Sequence, residues 1–291
     1  MKTSDLLLRA LEEEGVEYIF GVPGEENADV MISLLDSPIE FIVARHEQGA
    51  AFMADIQGRL TGRPGVCLST LGPGATNLAT GVASANFDRS PLVAITGQAS
   101  TYRLHKESHQ NMDTVSMFRP ITKWATSIRQ PDTVPEVVHK AFRQARTEKP
   151  GACLVELPED IAKQTSELGP MPSRGYKLRR SAADHKAVSR AVEILKKSKR
   201  PIILAGNGCV RKRASRQLKR LVDQTGIMVA HTFMAKGALD DRDPHSLLTA
   251  GLGTRDHVTE AFAEADLVIA IGYDLIEWQP DKWNPGMDKK I

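Results

Sequence analysis

The sequence has little with which to cross-link itself. Its 291 residues include three cysteines, Cys67, Cys153 and Cys209. They are odd in number, far apart and never in Cys-x-x-Cys spacing, which argues against a disulfide framework or a cysteine-built zinc site and favours a reducing compartment. Cys67 and Cys153 sit inside apolar runs and read as small buried hydrophobes. An excess of either charge is also missing: 38 basic residues stand against 36 acidic ones, a net charge of +2. That balance calls for neither a nucleic-acid nor a membrane partner. The one basic stretch, from Arg211-Lys212-Arg213 to Arg220, reads as the solvated face of a helix. No apolar run is long enough to span a bilayer. The N-terminal stretch is broken by Arg9 and Glu12 to Glu14, so it is no signal peptide, and a cytoplasmic chain is expected. A glycosylation sequon, a Gly-x-Ser-x-Gly nucleophile elbow and a paired-carboxylate pattern are absent as well.

What is present is an ordinary globular composition, 41% hydrophobic and 25% charged, with length for roughly two domains. A first helix is predicted from a Thr3 or Ser4 cap to a stop at Gly15, with Leu7, Leu8, Ala10 and Leu11 on its apolar side. Strand-like runs follow at Tyr18–Phe20, Ile39–Val43, Val66–Ser69, Leu92–Thr96 and Ala152–Leu157. Helical stretches separate them at Glu47–Leu60, about Ala75–Asn86 and Val134–Arg146. The pattern lapses near 164–183, where Gly169, Pro170, Pro172 and Gly175 crowd together. It resumes with helices at Val188–Lys197, Ser215–Thr225 and Asp256–Glu264 and strands at Ile202–Ala205, Ile227–Ala230 and Leu267–Ile271. The expected class is α/β: two doubly wound domains with mainly parallel sheets. They are placed at residues 1–165 and 185–291, joined by a linker at 166–184. The second domain reads as unfinished, because the chain ends at Ile291, shortly after its last strand.

Open parallel sheets bind ligands outside the carboxyl ends of their strands. The candidate corners are therefore Gly21–Gly24, Arg45-His46-Glu47, Ser69–Asn77 and Thr96-Gly97-Gln98. Gly72-Pro73-Gly74-Ala75-Thr76-Asn77 fits no phosphate motif. Asn77 stands where a dinucleotide fingerprint has its third glycine, and the Gly-Lys-Ser/Thr of a P-loop is absent. The segment reads either as a corner that lets a flat ligand approach the backbone or as a tight turn. Glu47 has two readings as well. Lying between an apolar strand and Ala50, Ala51, Phe52 and Met53, its carboxyl is a candidate for desolvation, which would suit it to share a proton near neutrality. Spacing alone favours the other reading, a helix N-terminal acid held by the macrodipole. His105 and His109 are four apart, but Glu107 does not follow the zincin order, and Gln110, Asn111 and Asp113 make no convincing third ligand. A polar loop is expected there, and no metal ligand is assigned.

Taken in order, the corners resemble a known family. Phe20-Gly21-Val22-Pro23-Gly24, Ala44–Gln48 with Ala50–Ala54, Gly58–Gly62, Gly72–Gly81, His109-Gln110 and Pro120–Lys123 run through most of residues 1–165. Together they are similar to the pyrimidine-binding domain of thiamine-diphosphate enzymes. Ile271–Trp278 with Trp283-Asn284 looks like the central domain of acetolactate synthases, particularly the catabolic kind. The resemblance implies thiamine diphosphate as the electron sink for decarboxylating pyruvate and joining it to a second pyruvate, giving 2-acetolactate for acetoin or branched-chain amino-acid metabolism. It implies that Glu47 hydrogen-bonds N1′ of the aminopyrimidine as the activating acid. Val22, Pro23 and Gly24 would line that ring, with Gly74 and Asn77 close by and Gln110 facing the substrate. Relatives often hold FAD in the central domain, where Gly206, Gly208, Gly251, Gly253 and Asp274 would lie near it. Lys149-Pro150-Gly151 and Leu157-Pro158-Glu159-Asp160 depart from the family pattern at places that approach flavin or the site entrance in relatives. The family binds the diphosphate and Mg²⁺ through a third domain bearing Gly-Asp-Gly, and no Gly-Asp-Gly occurs in these residues. The resemblance therefore implies a dimer or tetramer in which that domain comes from a longer or a separate chain, and little activity for this chain alone. The alternatives are another thiamine-diphosphate decarboxylase or lyase, and a non-catalytic module that keeps the fold.

Overall fold

A computed structural model describes residues 1–172, 182–211, 214–251 and 256–286. The chain divides into two compact units, Met1–Arg179 and Arg180–Ile291, each built on its own all-parallel sheet with helices on both faces.

The first unit has β1 (Tyr18–Gly21), β2 (Glu40–Val43), β3 (Gly65–Ser69), β4 (Leu92–Gln98), β5 (Trp124–Ser127) and β6 (Ala152–Pro158). Their order across the sheet is β2-β1-β3-β4-β6-β5. Alternate side chains of the central strands go to opposite faces. Val66, Leu68, Val93, Ile95 and Val155 meet Leu7, Leu11 and Phe142 on one side. Cys67, Ala94, Ala152 and Leu154 meet Ala50, Ala54, Leu78 and Val82 on the other. Both faces are dry, which is why these strands read as continuous apolar runs. The second face is made of small side chains, and the helix Glu47–Thr61 lies close against it. A Cβ on Gly65 would stand 1.9 Å from the Ala54 carbonyl oxygen, and one on Gly81 would stand 2.5 Å from Ala51 Cβ. Burial pushes the Cys67 and Cys153 thiols up to about 12, so both are packing groups rather than nucleophiles.

The second unit has β7 (Pro201–Ala205), β8 (Met228–His231), β9 (Ser246–Thr249) and β10 (Leu267–Ile271), in the order β10-β7-β8-β9. Ile203, Ala205 and Val229 face one core, and Ile202, Leu204, Ala230 and Val268 face the other. The helix Ser215–Thr225 buries Leu218 and Val222 and leaves Arg216, Lys219 and Arg220 exposed, a solvated basic face as expected. Arg211, however, ends a separate helix, Asn207–Arg211, and is half-buried rather than part of that face. Lys212 and Arg213 lie outside the described residues.

Several details differ from the sequence reading. Lys2 caps the first helix, not Thr3 or Ser4. Those two side chains are buried, and Thr3 Oγ1 donates to the Gln164 carbonyl at 2.9 Å. The Ser166 N–H donates to the Met1 carbonyl at 2.9 Å. Residues 164–166 are thus packed into the first unit, and the linker does not begin at 166. Residues 173–181, the middle of that linker, lie outside the described residues. Gly72-Pro73-Gly74 is the first turn of the helix Gly72–Phe87 rather than a corner ahead of it. A proline suits that place, since its missing N–H would have had no helical partner there. The sequence pattern omits β5 and β9, which are short, half-buried edge strands without an apolar run. His105 and His109 lie in turns, not on a helix, so their spacing has no helical meaning. No helix among the described residues is long and apolar enough to cross a membrane.

One buried acid ties the helix Glu47–Thr61 down. Asp55 is 1% exposed and accepts Arg59 Nε and Nη2 at 2.9 and 2.8 Å, while Nη2 also reaches Asp88 at 2.6 Å. Arg59→Leu is expected to cost about 2–3 kcal/mol, because it leaves a buried carboxylate unpaired. The shift of the urea midpoint checks this; a change under about 0.5 kcal/mol would mean that the network acts like an exposed ion pair.

Candidate active site

The chain order of the first sheet reverses between β1 and β3, and the carboxyl ends of these strands frame the crevice where open α/β sheets take ligands. The loop after β1 brings Val22-Pro23-Gly24 to it. The turn after β2 brings Glu47, and the segment after β3 brings Gly72 to Asn77. His46 caps the helix that Glu47 begins, its Nδ1 accepting the Gln48 N–H at 3.1 Å. With the helix start fixed, the Glu47 carboxyl meets the neighbouring helix, where Asn77 Nδ2 donates to Glu47 Oε2 at 3.0 Å. Gly74 and Asn77, three apart, share that helix face. A Cβ on Gly74 would stand 3.3 Å from Glu47 Oε1 and 2.8 Å from Thr70 Cγ2, and one on Gly24 would stand 2.8 Å from Thr70 Cβ. Gly24, Glu47, Gly74 and Asn77 therefore converge around Thr70.

Glu47 is half-buried rather than sealed. The desolvation suggested by its apolar neighbours is incomplete for a helical reason. Ala50 and Ala51 are buried, while Phe52 and Met53 lie on the outer side, 38% and 45% exposed. Pro23 is exposed and Val22 half-buried. Gln110 is seated beside the same helix, its carbonyl oxygen 2.7 Å from where a Cβ on Gly72 would stand, and its own φ is +56°. Its side chain is exposed and makes no hydrogen bond to Glu47.

Two positioning residues escaped the sequence reading. Asn27, 1% exposed, accepts the Gly24 N–H on Oδ1 at 2.8 Å and donates to the Val22 carbonyl at 3.4 Å. It clips the loop into shape. Thr70 Oγ1 donates to Glu26 Oε2 at 2.5 Å, joining the β1 and β3 corners. The available signal was positional: an Asn three residues after Gly24, and a Thr directly after β3.

These residues fit the aminopyrimidine that the resemblance implies. Gly24 and Gly74 both close on Thr70, where any Cβ would stand 2.8 Å from its side chain, while Glu47 Oε1 is free to meet a ring nitrogen, having no donor among the described residues. Those residues also contain no cluster of three His, Cys, Asp or Glu arranged to hold a metal.

For flavin the outcome differs. Gly206, Gly208 and Asp274 do gather at the switch point of the second sheet, between β10 and β7. Yet a Cβ on Gly206 would stand 2.3 Å from Tyr273 Cα, and one on Gly208 would stand 2.7 Å from Gly272 Cα. These glycines are needed where the two loops close on each other. The Glu277 carboxylate takes the Asn207 N–H at 2.9 Å, the Asp274 N–H at 3.0 Å and the Thr232 hydroxyl. Donors that would receive an anionic ligand at such a place already hold the chain's own carboxylate. Gly251, with φ +86°, packs on Trp278; Gly253 lies outside the described residues. The described residues do not fit FAD, and no chemistry is derived through it.

Residues 1–117 match the family described as "Thiamine pyrophosphate enzyme, N-terminal TPP binding domain". Residues 188–291 match "Thiamine pyrophosphate enzyme, central domain". The chain is 39% identical over 280 residues to a probable acetolactate synthase large subunit of Methanocaldococcus jannaschii, covering 94% of this chain and 47% of that protein. It is 36% identical over 289 residues to an acetolactate synthase of Bacillus subtilis (99% and 50% covered). It is 38% identical over 285 residues to a catabolic acetolactate synthase of Raoultella terrigena (97% and 51%). The chain thus spans about half the length of the curated relatives it matches.

The Glu277 clasp can be tested directly. Glu277→Ala is expected to destabilise the second unit by about 2–3 kcal/mol, since two amides and a hydroxyl lose their acceptor. Denaturation followed by tryptophan fluorescence reads it, Trp278 and Trp283 both lying in that unit. An unchanged midpoint would show that water replaces the carboxylate without loss.

Proposed function

Because the chain belongs to the thiamine pyrophosphate enzymes, carrying their N-terminal and central domains, we propose that it serves the thiamine-diphosphate-dependent condensation of two pyruvates to 2-acetolactate. The names of its relatives support the product. The observation that carries the reading is the Glu47 carboxyl, held by Asn77 on one oxygen and open on the other beside Gly74.

When bound, thiamine diphosphate supplies an electron sink for the pair left at the keto carbon as carbon dioxide departs. The chain's own residues prepare that chemistry. Asn77 engages Glu47 Oε2 and restrains the carboxyl from turning. With the cofactor bound, Oε1 would be the carboxyl oxygen left to share a proton with the ring nitrogen N1′. Gly24 and Gly74, held against Thr70, would flank the ring, with Val22 and Pro23 on the same loop as Gly24, and Asn27 keeps the Gly24 backbone extended. Gln110 is assigned to the substrate side. Excluding water from the crevice strengthens the bond made by Glu47 and favours loss of a charged carboxylate.

We assign the diphosphate and Mg²⁺ to residues outside these 291, in the same protein or a partner chain, within a dimer or tetramer. A cytoplasmic location accords with three buried, unpaired cysteines. On this reading the 291-residue chain alone turns over little pyruvate, and a chain supplying the diphosphate-binding domain restores acetolactate formation. In the restored assembly Glu47→Gln is expected to lower the rate by at least about 100-fold. Full activity of that variant would remove Glu47 from its role. Acetaldehyde without acetolactate would move the assignment to a simple decarboxylase.

A further inference from the structure

A second cavity, of about 440 Å³, opens at the carboxyl ends of β4, β6 and β5, and the proposed reaction leaves it unused. Glu156 of β6 lies in its floor and is 4% exposed. Gln98 fixes this carboxyl: its Nε2 donates to Glu156 Oε2 at 2.8 Å and to the Met112 carbonyl at 2.9 Å. Its own Oε1 accepts the Ala99 N–H at 2.9 Å, so Gln98 has no freedom to turn. Burial raises the Glu156 carboxyl above its ordinary range, and the nearby Ser127, Gln98 and Thr114 only partly oppose this.

Two hydroxyls beside it are unmet. Thr114 Oγ1 and Ser127 Oγ are buried at the cavity wall and turned toward the Glu156 carboxyl closely enough to lower its pKa, but neither completes a hydrogen bond of good geometry. An unmet buried hydroxyl costs about 1–3 kcal/mol, so the pair marks a place for an incoming oxygen. At the mouth, Arg119 and Arg129 are exposed and form no ion pair among the described residues. The acid facing them is Asp113, whose carboxyl is held below its ordinary range mainly by Ser116, with both arginines contributing. At the mouth itself two positive charges, Arg119 and Arg129, face the one negative charge of Asp113, a balance that favours an anion.

We propose that this cavity binds a small 2-hydroxy or 2-oxo carboxylate, with its carboxylate at Arg119 and Arg129 and its second oxygen at Thr114, Ser127 and Glu156. The arginines call for the anion, and two planar guanidinium forks suit a carboxylate. The floor calls for an uncharged oxygen, because a second negative charge there would meet a dry wall. A ligand of a few carbons fits the volume. Gly24, Glu47, Gly74 and Asn77 do not line this cavity, and the site does not depend on the assignment made for them.

Lactate is the suitable probe, because it has no keto carbon for thiamine-dependent decarboxylation. Isothermal titration of the 291-residue chain, without thiamine diphosphate, is expected to show saturable lactate binding. Arg119→Gln combined with Arg129→Gln is expected to weaken it by about tenfold or more. Both side chains are exposed, so this variant keeps its fold, which thermal unfolding verifies. Propionate, which lacks the second oxygen, is expected to bind at least about fivefold more weakly than lactate. Glu47→Gln is expected to leave lactate affinity unchanged. The absence of saturable heat, or equal affinity in the double arginine variant, would overturn the site. Equal binding of propionate would overturn the role of the hydroxyl floor. Loss of binding in Glu47→Gln would place lactate in the other crevice.

Discussion

The position of Glu47 depends on how closely its helix can approach β3 and the helix Gly72–Phe87. That approach rests on small residues. Ala50, Ala51 and Ala54 are fully buried, and Gly65 and Gly81 lie where any Cβ would strike the backbone or side chain of that helix. Interiors at crystal-like density have no slack to absorb added atoms. A larger side chain at any of these places pushes the helix outward and carries Glu47 away from Asn77 and Gly74. The chemistry at one end of the helix is thus set by packing along its length, with the Asp55–Arg59–Asp88 network anchoring its far end.

The two units share one architecture and use its switch point in opposite ways. In the first, the ends of β1 and β3 press together, a Cβ on Gly21 standing 2.4 Å from the Leu68 carbonyl oxygen, but a carboxyl oxygen of Glu47 is left without a donor among the described residues. In the second, the ends of β7 and β10 press together at Gly206 and Gly208, and Glu277 fills the donor set. The general rule that ligands sit at a reversal of strand order locates both places but does not say which is open. That is decided by individual side chains. A carboxylate reaching back from a loop takes up the donors of one, and the oxygen of Glu47 that meets no donor marks the other.

This also explains what the sequence made legible. Central strands buried on both faces announce themselves as apolar runs, and their helices carry a clear stripe, so Val134–Arg146, Ser215–Thr225 and Leu267–Ile271 were bounded correctly. Edge strands β5 and β9 bury only part of each residue and carry no such signal. Gly72-Pro73-Gly74 misled because the residues that break a helix interior also suit its first turn. Of the candidate site, Glu47, Gly74 and Asn77 are named by the order of motifs along the chain, whereas Asn27 acts within its own loop without any motif and Thr70 through a contact with Glu26, forty-four residues away. Glu277 was hidden for the same reason: seventy residues separate it from Asn207, whose amide it holds.

The half-burial of Glu47 has a further meaning. A hydrogen bond from a carboxyl to a ring nitrogen gains strength only as water leaves it. Helical geometry limits what the chain supplies here, since Ala50 and Ala51 turn inward while Phe52 and Met53 turn out. The crevice therefore presents Glu47 already aimed by Asn77 but still wet on its open side. A flat ring lying on Gly24 and Gly74 would itself displace that water, so binding the ligand and drying the acid become one event. Preorganised direction with desolvation supplied by the ligand is a consistent division of labour, because a carboxyl sealed in advance would meet the cost of burial with no partner to offset it.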